Sequence, residues 1–271
     1  MKERVDYIRT THEVSLKRAC KIVSLSRSVY YYRSIKNDAP VIEKLEELSI
    51  KYPQRGCDKF TAMLRNEGYI WNYKRIRRVY CLMNLNIRRK VKRRIPARVK
   101  EPLTLPDSLN GSWSMDFMSD SLVTGRKIRV LNVIDDFNRE ALCIDVQTSM
   151  PSVYVIRVLE DLLDWRGKPS QIRVDNGPEF ISSVFVDWCA DKGIRVQYIQ
   201  PGKPMQNGFI ERFNRSYREE VLDAFLFYDL NQVRVLSQEW MDDYNHKRPH
   251  ESLNDMTPVK FMQTKLVLKN D

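Results

Sequence analysis

The spacing of apolar positions changes along this chain, and each change marks a different kind of structure. Val41, Ile42, Leu45 and Leu48 recur at helical intervals, Tyr52-Pro53 and Gly56 interrupt them, and Phe60, Met63 and Leu64 mark a second helix that Glu67-Gly68 ends. Tyr73 to Leu85 reads as a third helix. From residue 112 the pattern turns to α/β. Trp113 to Asp120, Lys127 to Ile134 and Ala141 to Val146 are strand-like, with turn residues at Thr124-Gly125 and Asp136 to Arg139, so an antiparallel meander is expected. Pro151 to Trp165 is amphipathic, with Val155, Val158, Leu159 and Leu162 on one face. A short strand, Ile172-Arg173-Val174, comes next, followed by a helix from Pro178 to Lys192 with Phe180, Val184, Phe185 and Trp188 inward, and a strand from Ile194 to Ile199. Ile210, Phe213 and Tyr217 then mark a helix, and Val233, Leu236 and Trp240 mark another over 229–245.

The first 37 residues form a smaller pattern. A helix is followed by Arg18 to Val23, a turn around Ser24 to Ser28, and a second helix carrying Arg27, Tyr30, Tyr31 and Arg33, which is a helix-turn-helix pattern. A tyrosine-rich helix packed on its neighbour explains it equally well.

Charge sharpens the division. The chain of 271 residues carries a net +11, yet residues 1–100 hold 26 Lys/Arg against 9 Asp/Glu, whereas residues 101–271 hold 20 against 26. A basic first part joined to a mildly acidic second part argues for polyanion binding by one and separate chemistry in the other. Lys74, Arg75, Arg77 and Arg78 head the third helix, where a recognition helix faces a groove, although a solvated basic face is the competing reading. The run from Arg88 to Lys100 places Arg88, Arg89, Lys90, Lys92, Arg93 and Arg94 among eight basic residues in thirteen positions, with no acid. It reads as a linker that neutralises phosphates without choosing sequence. At 42% hydrophobic the composition is that of a folded protein. Five scattered Cys without a CxxC fit a reducing compartment, and no apolar run long enough for a signal or a membrane span is present, so the expected location is the cytoplasm. Three His and no suitable Cys pair exclude a zinc site of usual spacing.

Candidate chemistry lies in three acidic positions. Asp175 closes the short strand and is followed by Asn176-Gly177-Pro178, which places it at an exposed strand end. Glu211 sits on a helix whose second face carries Asn207, Glu211, Asn214 and Arg218, either a solvated stripe or a groove suited to phosphates beside a metal. Asp116 lies in the strand-like run Trp113-Ser114-Met115-Asp116-Phe117, and Asp120, Asp135 and Asp136 are its rivals. Asp135-Asp136 precedes a turn, where Asp is common for local backbone reasons.

Four ordered segments, WSMDFMSD, VDNGPEF, QPGKPMQNGFIERFNRSYR and YNHKRPHESL, resemble the catalytic core shared by retroviral integrases and bacterial DDE transposases, with the likeness nearest to the OrfB protein of the insertion-sequence-three family. The resemblance implies an α/β chain with a ribonuclease H-like catalytic core preceded by an all-α helix-turn-helix region. The resemblance runs from about residue 40 to 262, and together with the pattern along the chain it gives an expected division into an N-terminal helical segment over 1–37, a helix-turn-helix-like DNA-binding domain over 38–87, a basic linker over 88–110, a catalytic core over 111–226 and a C-terminal helical extension over 227–271. Matched position by position, the metal-binding triad falls on Asp116, Asp175 and Glu211, with Lys203, Gln206, Asn207 and Arg218 flanking it as contacts to the DNA end. The implied activity is transposition: nicking element ends and joining the freed 3′-hydroxyl to target DNA with two Mg²⁺ ions, which Mn²⁺ can replace. The implied partners are DNA, further copies of the chain assembled on it, and an upstream OrfA-type protein. Two alternatives stay open, a metal-dependent nuclease of the same fold without strand transfer and a DNA-binding regulator with a decayed site. His246 and His250 are read either as phosphate or end-DNA contacts or as residues that cap and tie down a terminal helix.

Overall fold

The computed structural model describes residues 1–33, 37–87, 106–200 and 207–270. The chain divides into two compact units, Met1–Lys44 and Leu45–Asp271. In the first, α1 (Lys2–His12), α2 (Leu16–Ile22) and α3 (Arg27–Tyr31) gather around Val5, Ala19 and Cys20. Ser15 and Ser26 start α2 and α3 by accepting the Arg18 and Val29 amides, so the expected turn between two short helices is present. Helix α4 (Ala39–Lys51) spans the division.

The second unit is organised by a five-stranded sheet in the order β3-β2-β1-β4-β5, built from β1 (Trp113–Ser121), β2 (Lys127–Asp135), β3 (Ala141–Gln147), β4 (Gln171–Val174) and β5 (Arg195–Tyr198). Strands β1, β2 and β3 pair antiparallel, whereas β4 and β5 add parallel to β1. This is the ribonuclease H-like order that the motifs implied. Alternation along the strands buries both faces. Trp113, Met115, Leu131 and Val133 face a core closed by α7 (Ser152–Arg166) and α9 (Ser183–Asp191). Met118, Val130 and Ile134 face one closed by α10 (Gly208–Tyr217) and α11 (Leu230–His246).

The helix expected over 178–192 is two helices. Ser182 is extended (φ −62°, ψ 141°), ends α8 (Pro178–Ile181) and caps α9 by accepting the Phe185 amide. The break resets the helical phase, so Phe180 and Phe185 stay buried while Val184, expected inward, is 51% exposed. The third helix of the basic region, α6 (Tyr73–Leu82), ends three residues early because Asn84 takes the left-handed conformation at φ 55°. It packs beside α5 (Cys57–Asn66). After α10 come a π-helical turn (Arg218–Leu222), α11, a 3₁₀ turn (Glu251–Leu253) and α12 (Pro258–Asn270). No helix among the described residues is long and apolar enough to cross a membrane.

Candidate active site

Strand register brings two of the three acids together. β1 and β4 run parallel with Trp113 beside Ile172 and Ser114 beside Arg173. Continuing that register two residues along makes Asp116 and Asp175 neighbours on adjacent strands, and Asp175 is the strongest charged influence on the Asp116 carboxyl. Asp175 lies just past the last β4 residue, exposed at the carboxyl end of the strand. Its Oδ1 accepts the Gly177 amide at 3.0 Å, and a Cβ on Gly177 would stand 3.0 Å from that same oxygen, so the turn leaves no room for a side chain there.

Helix α10 supplies the third acid. Ile210, Phe213 and Tyr217 are buried to 2% exposure or less, which fixes the rotation of the helix on β1 and β2. Burial of each such side chain contributes about 1.5–3 kcal/mol. With that face inward, Glu211 is exposed and Asn214, three residues on, turns toward the sheet.

Asp116 is the best-held member. Its Oδ1 accepts the Phe117 amide at 2.8 Å and its Oδ2 accepts Asn214 Nδ2 at 2.8 Å. Asn214 Oδ1 in turn accepts Asn132 Nδ2 at 2.7 Å, and Asn132 sits directly opposite Asp116 across the β1–β2 ladder. This buried chain of amides orients the carboxylate. Burial, followed by the like charges of Asp175 and Glu211, pushes the Asp116 carboxyl up to about 6, against the opposing pull of its two hydrogen bonds. All three acids therefore share one electrostatic neighbourhood. Among the described residues no three His, Cys, Asp or Glu side chains form a closed metal-ligand cluster. The donor set is nevertheless the one that suits a hard divalent cation: oxygen ligands only, one half-desolvated acid, and two accessible ones leaving positions for phosphate and water.

The loop carrying Asp175 is anchored by residues that sequence reasoning did not single out. Phe180 stacks on Phe117 with ring centroids 5.1 Å apart, Arg129 lies 4.2 Å from the Phe117 ring centre, and Arg129 also pairs with Glu179. Asn132 was likewise missed. A lone amide inside the apolar run Val130-Leu131-Asn132-Val133-Ile134 was the available signal, since a buried amide requires a partner.

The rival acids are otherwise engaged. Asp136 accepts Ser112 Oγ at 2.9 Å, Ser114 Oγ at 2.7 Å and Arg173 Nη1 at 3.0 Å. Asp135 accepts the Asn110 and Phe137 amides, each at 2.9 Å. Asp120 pairs with Arg218 at 3.2 Å.

The expected DNA contacts divide into three groups. Lys74, Arg77 and Arg78 are exposed on α6, and Arg75 lies 6.0 Å from the Trp71 ring. Arg88, Arg89, Lys90, Lys92, Arg93, Arg94, Lys203 and Gln206 lie outside the described residues. Asn207 and Arg218 flank the acids in sequence and differ in access, Asn207 being buried and the Arg218 side chain 37% exposed. Asn207 is 4% exposed because it packs at the start of α10, and Arg218 is drawn onto Asp120 and the Ser119 carbonyl. Of the two histidines, His250 is enclosed, edge-on to Tyr244 at 4.7 Å and bridged through its backbone to Met256, and His246 pairs with Asp242. Both sets of contacts lie within the C-terminal segment.

The strand order is that of a ribonuclease H-like core, and the comparisons with known proteins name the family. Residues 106–204 and 192–258 match the integrase core domain family. The chain is 38% identical over 256 residues to the uncharacterized 31.7 kDa protein of insertion element IS407 from Burkholderia multivorans, covering 94% of this chain and 92% of that protein. It is 36% identical to the uncharacterized 39.2 kDa protein of insertion element IS476 from Xanthomonas euvesicatoria, with 92% and 72% covered. It is also 26% identical to the transposase for insertion sequence element IS629 from Shigella sonnei, with 57% and 51% covered. The chain belongs to the integrase-core family of insertion-element transposases.

Proposed function

We propose that this transposase cuts at the ends of its element and joins the freed 3′-hydroxyl to target DNA by metal-assisted phosphoryl transfer at Asp116, Asp175 and Glu211. The observation that carries the reading is the placement of Asp116: held by Phe117 and Asn214, half-desolvated, and pressed by two further carboxylates, with no cation among the described residues acting on it comparably. Three acids so placed repel unless a cation joins them. A pair of Mg²⁺ or Mn²⁺ ions supplies activation of the attacking oxygen and stabilisation of the leaving one. Asp116 would hold both ions, Asp175 and Glu211 one each. The Asn214 amide keeps the shared carboxylate turned toward its partners, and the Gly177 amide does the same for Asp175.

DNA binding outside the centre falls to the exposed cations of α6 and to the basic run 88–100. Their phosphate contacts give affinity that falls steeply with salt. Assembly of several copies on the ends, an OrfA-type partner and a cytoplasmic, nucleoid-associated location complete the proposal.

The test is a joining assay in which a pre-cut duplex with a free 3′-hydroxyl, taken from the element's own end, is incubated with target DNA and Mg²⁺. The wild type is expected to join. Asp116→Asn, Asp175→Asn and Glu211→Gln should each lose about 10²–10³-fold or more of that rate while still retaining the duplex. Normal joining by any one variant refutes the triad. Cleavage without joining by the wild type would favour a nuclease of the same fold.

A further inference from the structure

The paired register of β1 and β4 stops at Ser114 and Arg173, short of both acids that it brings together. Beyond that point side chains must hold Asp175 beside Asp116. Strand alternation turns Phe117 to the face of β1 opposite Asp116: Asp116 meets Asn214 of α10, whereas Phe117 packs against the core closed by α7 and α9. On that reverse face Arg129 of β2, opposite Ser119 in the ladder, lays its guanidinium 4.2 Å from the Phe117 ring centre and pairs with Glu179 of α8. We propose that Arg129 is a positioning residue for the reaction: by tethering Glu179 against Phe117 it fixes where Asp175 stands relative to Asp116, and so how well the two share a divalent cation. This role rests on the metal centre proposed above and deepens it.

Three observations carry the assignment. The first is a continuous link. Helix α8 starts on the Gly177 carbonyl, which accepts the Phe180 and Ile181 amides at 3.0 and 3.1 Å, and the Gly177 amide donates to Asp175 Oδ1 at 3.0 Å. A displacement of Glu179 therefore reaches the Asp175 carboxylate through one residue. The second is the lack of slack. A Cβ on Gly177 would stand 3.0 Å from Asp175 Oδ1 and 3.5 Å from both Glu179 Oε2 and Phe180 Cδ2, so the turn is closely packed around the acid. The third is the direction of the ties. Toward β5 the loop is bonded from Asn176 Nδ2 to the Ile199 carbonyl at 3.3 Å and from Tyr198 Oη to the Phe180 carbonyl at 2.8 Å. Toward β1 and β2 it is held by the Phe180–Phe117 stack and the Arg129–Glu179 pair.

The pair differs from an ordinary surface ion pair, since its side chains are only 30% and 15% exposed. Burial raises the Glu179 carboxyl, but the hydrogen bond and the charge of Arg129 outweigh it and leave it below the ordinary range, so both partners stay ionised. A planar guanidinium lies on an aromatic ring and bonds a carboxylate at the same time, which a compact ammonium does poorly. Arginine is thus the side chain suited to join β2, the Phe117 ring and α8 at one point.

The test reads metal uptake separately from joining. Mn²⁺ is titrated calorimetrically into the metal-free full chain without DNA. Arg129→Gln and Glu179→Gln should each bind about tenfold more weakly than wild type, as variants in the outer partners of metal ligands do. The double variant should bind no more weakly than the weaker single one, because both side chains act through one contact. Arg129→Lys keeps the charge without the planar stack and should recover part of the loss. Should Arg129→Gln fail to fold, the isosteric Glu179→Gln carries the same comparison. In the joining assay the rate at saturating DNA should fall about 10–100-fold in Mg²⁺ but only about threefold in Mn²⁺, with KM for DNA unchanged, since Mg²⁺ demands the stricter geometry. Uptake equal to wild type in folded Arg129→Gln overturns the proposal. Tighter uptake overturns it as well, because the release of a fourth acid then outweighs the loss of the tether, and so does an equal loss of rate in the two metals, the mark of a general structural defect. A wild type that takes up Mn²⁺ but never joins DNA, with weaker uptake by Arg129→Gln, removes the proposed function and leaves the tether standing. A wild type that joins while Arg129→Gln keeps full uptake does the reverse.

Discussion

Two groups of buried acid lie along the same pair of strands, and they are treated in opposite ways. At one end Asp136 is enclosed by Ser112, Ser114 and Arg173, with Asp135 beside it taking two backbone amides and Arg166 at 3.8 Å. In the middle of β1 Asp116 has two hydrogen bonds, and its charged neighbours are two more acids. Burial raises all three carboxyls, but around Asp136 every other influence opposes that rise, whereas around Asp116 the next largest adds to it. The compensated cluster locks the sheet to its N-terminal approach. The other, among the described residues, meets further acids rather than a compensating cation.

That contrast can be broken from either side. The largest effect is expected at the compensated cluster. Arg173→Met leaves Asp136 buried and unpaired, and should cost about 3–5 kcal/mol of stability in chemical denaturation. A loss under about 1 kcal/mol would show that the cluster is not what holds that end of the sheet. Next comes the amide chain. Asn214→Ala releases Asp116 and strands Asn132, so joining should fall about 10–100-fold, beyond what any loss of folded protein explains. An unchanged rate in a folded Asn214→Ala protein would mean that Asp116 needs no orientation. The smallest effect is the most telling. Asp116→Asn removes one of three mutually repelling charges, so in EDTA at pH 8 it should stabilise the protein by about 1–2 kcal/mol, opposite in sign to the Arg173 variant. Destabilisation of similar size would place Asp116 in the structural class with Asp136.

How much of this was readable beforehand differs between elements. The strands followed from β-rich apolar runs bounded by turn residues and α10 from its apolar period, because nothing in their tertiary surroundings opposes those patterns. Ser182 was not legible as a break, since serine is nearly neutral within a helix and only its capping of Phe185 shows the division. Asp116, Asp175 and Glu211 came from motif likeness and not from spacing. Their proximity depends on the parallel β1–β4 register, which neither segment encodes by itself. Asn214 appeared only as one member of a polar stripe. Its burial distinguishes it from Glu211 one turn away, and that follows from the rotation that Ile210, Phe213 and Tyr217 impose.

Binding of Mn²⁺ to the metal-free protein, followed by the loss of its free electron paramagnetic resonance signal during titration, tests the shared cation site most directly. The wild type should take up Mn²⁺, and Asp116→Asn, Asp175→Asn and Glu211→Gln should each weaken uptake by about tenfold or more while Asp136→Asn does not, provided it folds. Uptake by Asp116→Asn equal to wild type would contradict the account.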